Sequence, residues 1–273
     1  MPKFNPDAQL NIHELAIEEP EKQAEVFFDP ERDITPEDWE KIGQYKKEQM
    51  SYNWQSVAEI CAEEKILGKD PNLSDSDWEN LQKYRRSHLY DAVMGWRDFV
   101  EKAKNEAIAG NVPELTDDDW QSIQKHMKAQ RTKQPQEHMH CFFANYILAK
   151  AVLGRPVKLS EDDWKYLEEF REKNKKSIGP LIEILETETI LGRRPKLTSS
   201  DWEFLKQERE RYRHDRVFQM DSNWHSSVSI ATTMAILSAD EVRIPEGGGL
   251  ELISHKKTDL QAEIPQMPEQ KQF

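Results

Sequence analysis

The chain has 273 residues, of which 37% are apolar and 33% charged, with a formal net charge of −13. That length can bury a sizeable core, but so polar a chain must spread it thinly, as helical arrays do by burying one face of each repeat against its neighbours. No apolar run approaches the ~20 residues that cross a bilayer, and the start MPKFNPDAQL has no basic-then-apolar leader, so no membrane partner and a cytoplasmic location are expected.

The acidity is uneven, −6 over residues 1–33 and −3 over 239–273, so the pI does not bar an anionic partner from the body. Cys61 and Cys141 each lie inside an apolar helical pattern and read as reduced buried thiols, with no disulfide framework.

Residues 1–33 form an irregular acidic segment in which NIHELA predicts one short helix. A phrase then recurs five times: ITPEDW ending at Trp39, LSDSDW at Trp78, LTDDDW at Trp120, LSEDDW at Trp164 and LTSSDW at Trp202. Thr35, Ser74, Thr116, Ser160 and Thr198 stand where a hydroxyl caps a helix N-terminus. The Asp three residues on completes a capping box. The apolar residue before each cap is spaced to staple onto the tryptophan at the fourth helical position. Five helices, the first of each hairpin, are therefore predicted.

Each is followed by a second apolar-periodic segment ending in ILG, IAG, VLG, ILG or ILS, the last residues being Gly68, Gly110, Gly154, Gly192 and Ser238. The glycines read as left-handed helix caps, with a proline two or three residues beyond. Glycine to the next tryptophan is ten residues in all four cases, whereas tryptophan to Gly or Ser spans 28 to 36 residues. The turn between hairpins is fixed, and the loop inside each hairpin varies. Beyond Ala239, EVRIPEGGGLELIS predicts a small hairpin about PEGGG, and the last residues are polar and proline-bearing.

These signals predict an all-α fold: a right-handed α-solenoid of five helix-turn-helix repeats over 34–238 (34–72, 73–114, 115–158, 159–196, 197–238), with irregular acidic ends at 1–33 and 239–273. The array resembles the tetratricopeptide and HEAT solenoids in general, without the signature phrase of either. That resemblance implies a scaffold, adaptor or inhibitor that binds proteins, not an enzyme.

The candidate partner-binding residues recur near the C-terminal end of the first helix of each hairpin: Tyr45, Lys46 and Lys47; Tyr84, Arg85 and Arg86; Lys128 and Arg131; Arg171 and Lys175; Arg209 and Arg213. Stacked, they predict an aromatic–basic rim on the variable-loop edge, suited to an acidic segment of a partner or, as an alternative, to a nucleic-acid backbone. Bases there also complement the negative helix end, at ~0.3–1 kcal/mol each. A third alternative is a hydrolase or ribonuclease centred near His214, because His214-Asp215 resembles the central pair of HD-type phosphohydrolases and Arg209-x4-His214 the short signature of HEPN ribonucleases. No cofactor and no metal are expected: the Asp117–Asp119 and Glu161–Asp163 runs are explained as helix starts, and His138 and His140 point apart on a helix.

Overall fold

The computed structural model describes residues 28–87, 95–131, 142–214 and 221–253, with the side chains of 126–131, 142 and 221–224 left undescribed. NIHELA, His138, His140, Cys141, Asp215 and the polar tail lie outside the described residues. Among those described the chain is mostly helical. A single turn, α1 (Pro30–Asp33), precedes five outer helices: α2 (Pro36–Gln49), α4 (Asp75–Ser87), α6 (Asp117–Arg131), α8 (Glu161–Asn174) and α10 (Ser199–His214). They alternate with five inner ones: α3 (Trp54–Ile66), α5 (Gly95–Ile108), α7 (Phe142–Val152), α9 (Ile178–Ile190) and α11 (Asp221–Ser238). Strands β1 (Glu241–Arg243) and β2 (Glu251–Ile253) pair antiparallel, Glu241 opposite Ile253.

All five outer helices begin on the capping box. The Thr35 N–H donates to Asp38 at 3.0 Å and the Asp38 N–H returns to the Thr35 hydroxyl at 3.2 Å. The same reciprocal pair joins Ser74 to Asp77, Thr116 to Asp119, Ser160 to Asp163 and Thr198 to Asp201. At the other turn, Gly68, Gly110, Gly154 and Gly192 have φ between +74° and +105°. The N–H after each glycine reaches back five residues, as Lys69 does to the Glu64 carbonyl and Arg193 to that of Glu188. A helix closed this way can leave in only one direction, which accounts for the constant ten-residue spacing. Trp78, Trp120 and Trp164 are half-buried. The base after the glycine covers the ring at two of them and at Trp39: Lys69 over Trp39, Arg155 over Trp120 and Arg193 over Trp164, at 4.6, 5.5 and 5.3 Å from the centroids.

The stack does not stay open. Inner helix α3 packs on α5, α5 on α7, α7 on α9, α9 on α11, and α11 returns to α3. The first and last inner helices are thus neighbours. The seam joins the first hairpin to the last: Phe28, Ile34, Ile42, Ile60 and Leu67 share a core with Trp202, Leu205, Val228 and Ile230. Phe28 donates its N–H to the Ser238 hydroxyl at 3.0 Å, and the Arg209 guanidinium stacks over its ring. Burying each such Ile, Leu or Phe contributes about 1.5–3 kcal/mol, enough to favour closure over two exposed apolar ends.

A second cluster takes at least one residue from each inner helix: Ala62, Ala107, Leu148, Val152, Ile190 and Ile236, with Leu250 of the β-hairpin among them. These residues lie near the C-terminal ends of the inner helices, so the hairpin stops that end of the ring. The Gly249 N–H donates to the Val152 carbonyl at 2.6 Å, and Arg194 donates to the Ala239 carbonyl.

Candidate functional site

Above that apolar floor lies a cavity of about 400 Å³ lined from all five inner helices. Its walls are polar at one recurring position. Nine residues before the Gly or Ser that ends each inner helix stand Glu59, Glu101, Asn145, Glu183 and Ser229, and every one lines the cavity. Three residues further on, Lys104, Glu186 and Thr232 also line it. Residues three apart share a helix face, so these two positions make a single band around the lumen.

The cavity wall as a whole holds five carboxyl groups (Glu59, Glu63, Glu101, Glu183 and Glu186) against two cationic side chains, Lys104 and His225. Glu63 accepts from His225 Nε2 at 2.9 Å and from the Ser229 hydroxyl at 2.6 Å. Burial alone would lower the His225 pKa, but the charge of Glu63 and the hydrogen bond to it outweigh burial and carry it to about 9. The imidazole is therefore a cation at neutral pH, and its ring stands 5.6 Å from that of Tyr45. Lys104 Nζ donates to Asn145 Oδ1 at 2.9 Å, and the Thr233 hydroxyl donates to Glu186 at 2.6 Å.

Two of the carboxyl groups are far from their ordinary ionisation. Burial, reinforced by the charge of Glu101, raises Glu59 to about 7. Burial also raises Glu186 to about 7, against the Thr233 hydrogen bond and the nearby charge of Lys104. The Thr232 hydroxyl, in a residue 3% exposed, has no hydrogen-bond partner.

Many of the residues expected on a basic rim are spent inside the fold. Arg85, 2% exposed, donates to Glu106 at 2.8 Å and lies over the Phe99 ring. Lys46 bonds Glu64 at 2.6 Å and the Pro71 carbonyl at 2.7 Å, and Arg171 pairs with Glu188. In each case a base on the outer helix meets a glutamate four residues before the glycine of its own inner helix. Burial raises the pKa of Glu64, Glu106 and Glu188, and the facing base pulls each back. The spacing that suggested a rim is thus the register of an internal ion pair. Arg209 donates to the Asp33 carbonyl, and Arg213 bonds Asp38, both across the seam.

Lys47, Arg86 and Lys175 are exposed, and Tyr45 and Tyr84 are half-buried, the latter under Lys102 Nζ. Lys128 and Arg131 belong to α6, but their side chains lie outside the described residues. His214 is exposed at the end of α10, 3.2 Å from Glu210 and on an outer helix rather than in the lumen. Sequence reading passed over the band because an isolated Glu or Asn in an apolar helix is unremarked. Its signal was the alignment of five polar residues at one position counted from the helix end.

No helix of the described residues is long and apolar enough to cross a membrane, and those residues contain no group of three His, Cys, Asp or Glu that could hold a metal ion. Comparison with protein-family models, with curated proteins and with solved structures finds no match.

Proposed function

We propose that this chain is a non-enzymatic binding protein, a solenoid of five helical hairpins bent until it closes, which holds a protein partner at the edge carrying the loops between outer and inner helices. One observation carries the reading: the ring is closed by the β-hairpin at one end, while at the other its cavity reaches Ile178 and Gly179 in the first turn of α9, Tyr212 near the end of α10, and His225. Among the described residues, the variable-loop edge is the end of the cavity that the hairpin does not cover. Function in repeat proteins gathers where loop length is free to change.

The experiment is recovery of a partner from the native host with three baits. Ile182→Trp narrows the upper lumen; Lys47→Glu, Arg86→Glu and Lys175→Glu together reverse the exposed bases. Loss of the partner with Ile182→Trp alone supports the lumen as its seat. Loss with the triple reversal alone moves the interface to the rim, where salt should weaken it. A bait that recovers no specific partner in any form overturns the reading. An enzymatic alternative has one observation in its favour, the two carboxyl groups that titrate near neutrality inside a cavity. It predicts a turnover lost in Glu186→Gln while partner recovery persists.

A further inference from the structure

We infer that the lumen is a receptor for an alkylammonium group, with the carboxyl band as its counter-charge and the Thr232 hydroxyl as an additional acceptor. The inference rests on the lumen being the binding site, and it names what enters there. The rim first suggested an acidic partner; the interior calls for the opposite charge.

The charge count supplies the first argument. Of the wall's two cations, His225 is held by Glu63 and Lys104 is bonded to Asn145. Glu59, Glu101, Glu183 and Glu186 line the same space, so carboxyl groups outnumber cationic ones along its wall. Closely spaced carboxyl groups in a confined volume resist ionising together, and an added cation removes that resistance.

The wall supplies the second. Ile178 and Ile182 on α9 and Tyr212 on α10 line the upper part of the cavity, while Ile66, Ile108, Ile190 and Ile236 line its floor. By the 1.5 Å rise per residue, the band at Glu183 and Glu186 lies roughly 7–12 Å below Ile178. A cation entering past these side chains needs an apolar stem, as an alkylamine or a lysyl side chain has, and it stops where the carboxyl groups are.

Thr232 supplies the third. Mid-helix threonines commonly bond the carbonyl four residues back, as Thr187 and Thr189 do in this protein. The Thr232 oxygen makes no such bond although its residue lines the cavity. A buried hydroxyl without a partner is costly, and an ammonium, with three donors and no acceptor, would supply a donor to its oxygen. The residues described offer no metal-ligating set, which points to an organic cation over a divalent ion.

Binding should displace protons. Glu59 faces Glu101, Glu63, His225 and Lys104, and Glu186 faces Thr233, Lys104, Glu63 and Glu183. With both carboxyl groups half-protonated near neutrality, an ammonium would bind the ionised form and release a proton from whichever carboxyl it pairs with. Affinity would then rise about tenfold from pH 6 to pH 8 for each proton displaced.

Calorimetric titration of the full chain tests this with n-butylamine against butanol and butyrate, and with acetyl-Ala-Lys-Ala-amide against its glutamine counterpart, each at pH 6 and pH 8. The expected result is binding of the amines alone, tighter at pH 8, with a heat that varies with the buffer as released protons are taken up. Glu101→Gln and Thr232→Val, both close in shape to the native side chains, should each weaken amine binding at least about fivefold, whereas Glu79→Gln on the outer face of α4 should not. Binding of both butylamine and the lysine peptide assigns the site to free amines as well as to side chains; binding of the peptide alone assigns it to a partner's lysine. Equal binding of butanol, or no amine binding at pH 8 by folded protein, overturns the inference. If amines fail while Ile182→Trp still costs the host partner, the ammonium assignment is lost and the lumen remains the seat. If amines bind while Ile182→Trp leaves the partner in place, the reverse holds.

Discussion

The Arg213 guanidinium donates to the carboxylate of Asp38 at 3.0 Å across 175 residues of chain, and the same carboxylate accepts the Thr35 N–H at the start of α2. One acid thus serves as first cap of the array and as latch for its last outer helix.

Asp38→Ala should therefore destabilise the protein more than Asp77→Ala or Asp163→Ala. Loss of the cap alone costs about 0.5–2 kcal/mol. The charge-assisted seam bond should add about 1.5–3 kcal/mol. Urea midpoints of the three variants test the order. A double-mutant cycle with Arg213→Ala should show coupling for Asp38 and none for Asp163.

The Arg85–Glu106 pair should be the most sensitive of the internal ion pairs, because both side chains are almost fully buried. Removing one partner strands a charge, and Arg85→Met or Glu106→Gln should each cost about 3–5 kcal/mol. The double variant should recover much of that loss. Lys46→Met should cost less, since Lys46 is partly exposed. Chemical denaturation of the four variants decides it.

Stability should fall as pH rises from about 5 to 9. Glu59 and Glu186 ordinarily titrate at 4.5 but reach about 7 in the fold. Below pH 4.5 they are protonated folded and unfolded alike, so the contribution is fully present. Between 4.5 and 7 only the unfolded chain ionises freely, and that contribution is lost. His225, raised from 6.5 to about 9, acts in the same direction over a higher window: its ion pair stabilises fully below 6.5 and is lost as pH climbs through 9. Glu186→Gln should flatten the lower part of the profile, by a few kcal/mol between pH 5 and 7. Thermal midpoints at half-unit pH steps measure it.

Gly248→Ala should detach the β-hairpin from the ring. Gly248 has φ +90°, and a Cβ there would meet the Val152 carbonyl oxygen at 2.6 Å, while a Cβ at Gly247 meets nothing. Neither backbone can yield easily, so the cost is about 1–3 kcal/mol of strain plus the burial of Leu250. Gly247→Ala is the control. Proteolysis between Ala239 and Leu252 should accelerate in the first variant alone.

Much of the fold was legible before any coordinates. Thr35, Asp38 and their four counterparts announce helix starts because a cap is a bond between residues three apart. Gly68, Gly110, Gly154 and Gly192 announce helix ends because a left-handed residue excludes most side chains. The bases misled for a related reason. Lys46, Arg85 and Arg171 recur at one helical position, and recurrence alone does not say whether a side chain points to solvent or to the neighbouring helix. Glu64, Glu106 and Glu188 recur just as regularly, and pairing the two series would have placed the bases inside.

By itself, the sequence determined the all-helical class, the alternation of two helix series and the fixed turn between hairpins, since these are set by contacts within a few residues. Only the tertiary structure decided that α11 returns to α3. Closure depends on small rotations at each turn that accumulate over five hairpins, and no single turn reveals their total. With closure came the lumen: Glu59, Glu101, Asn145, Glu183 and Ser229 face one another only because the first and last inner helices meet. The raised pKa of Glu59 belongs to a space that none of the five hairpins contains alone.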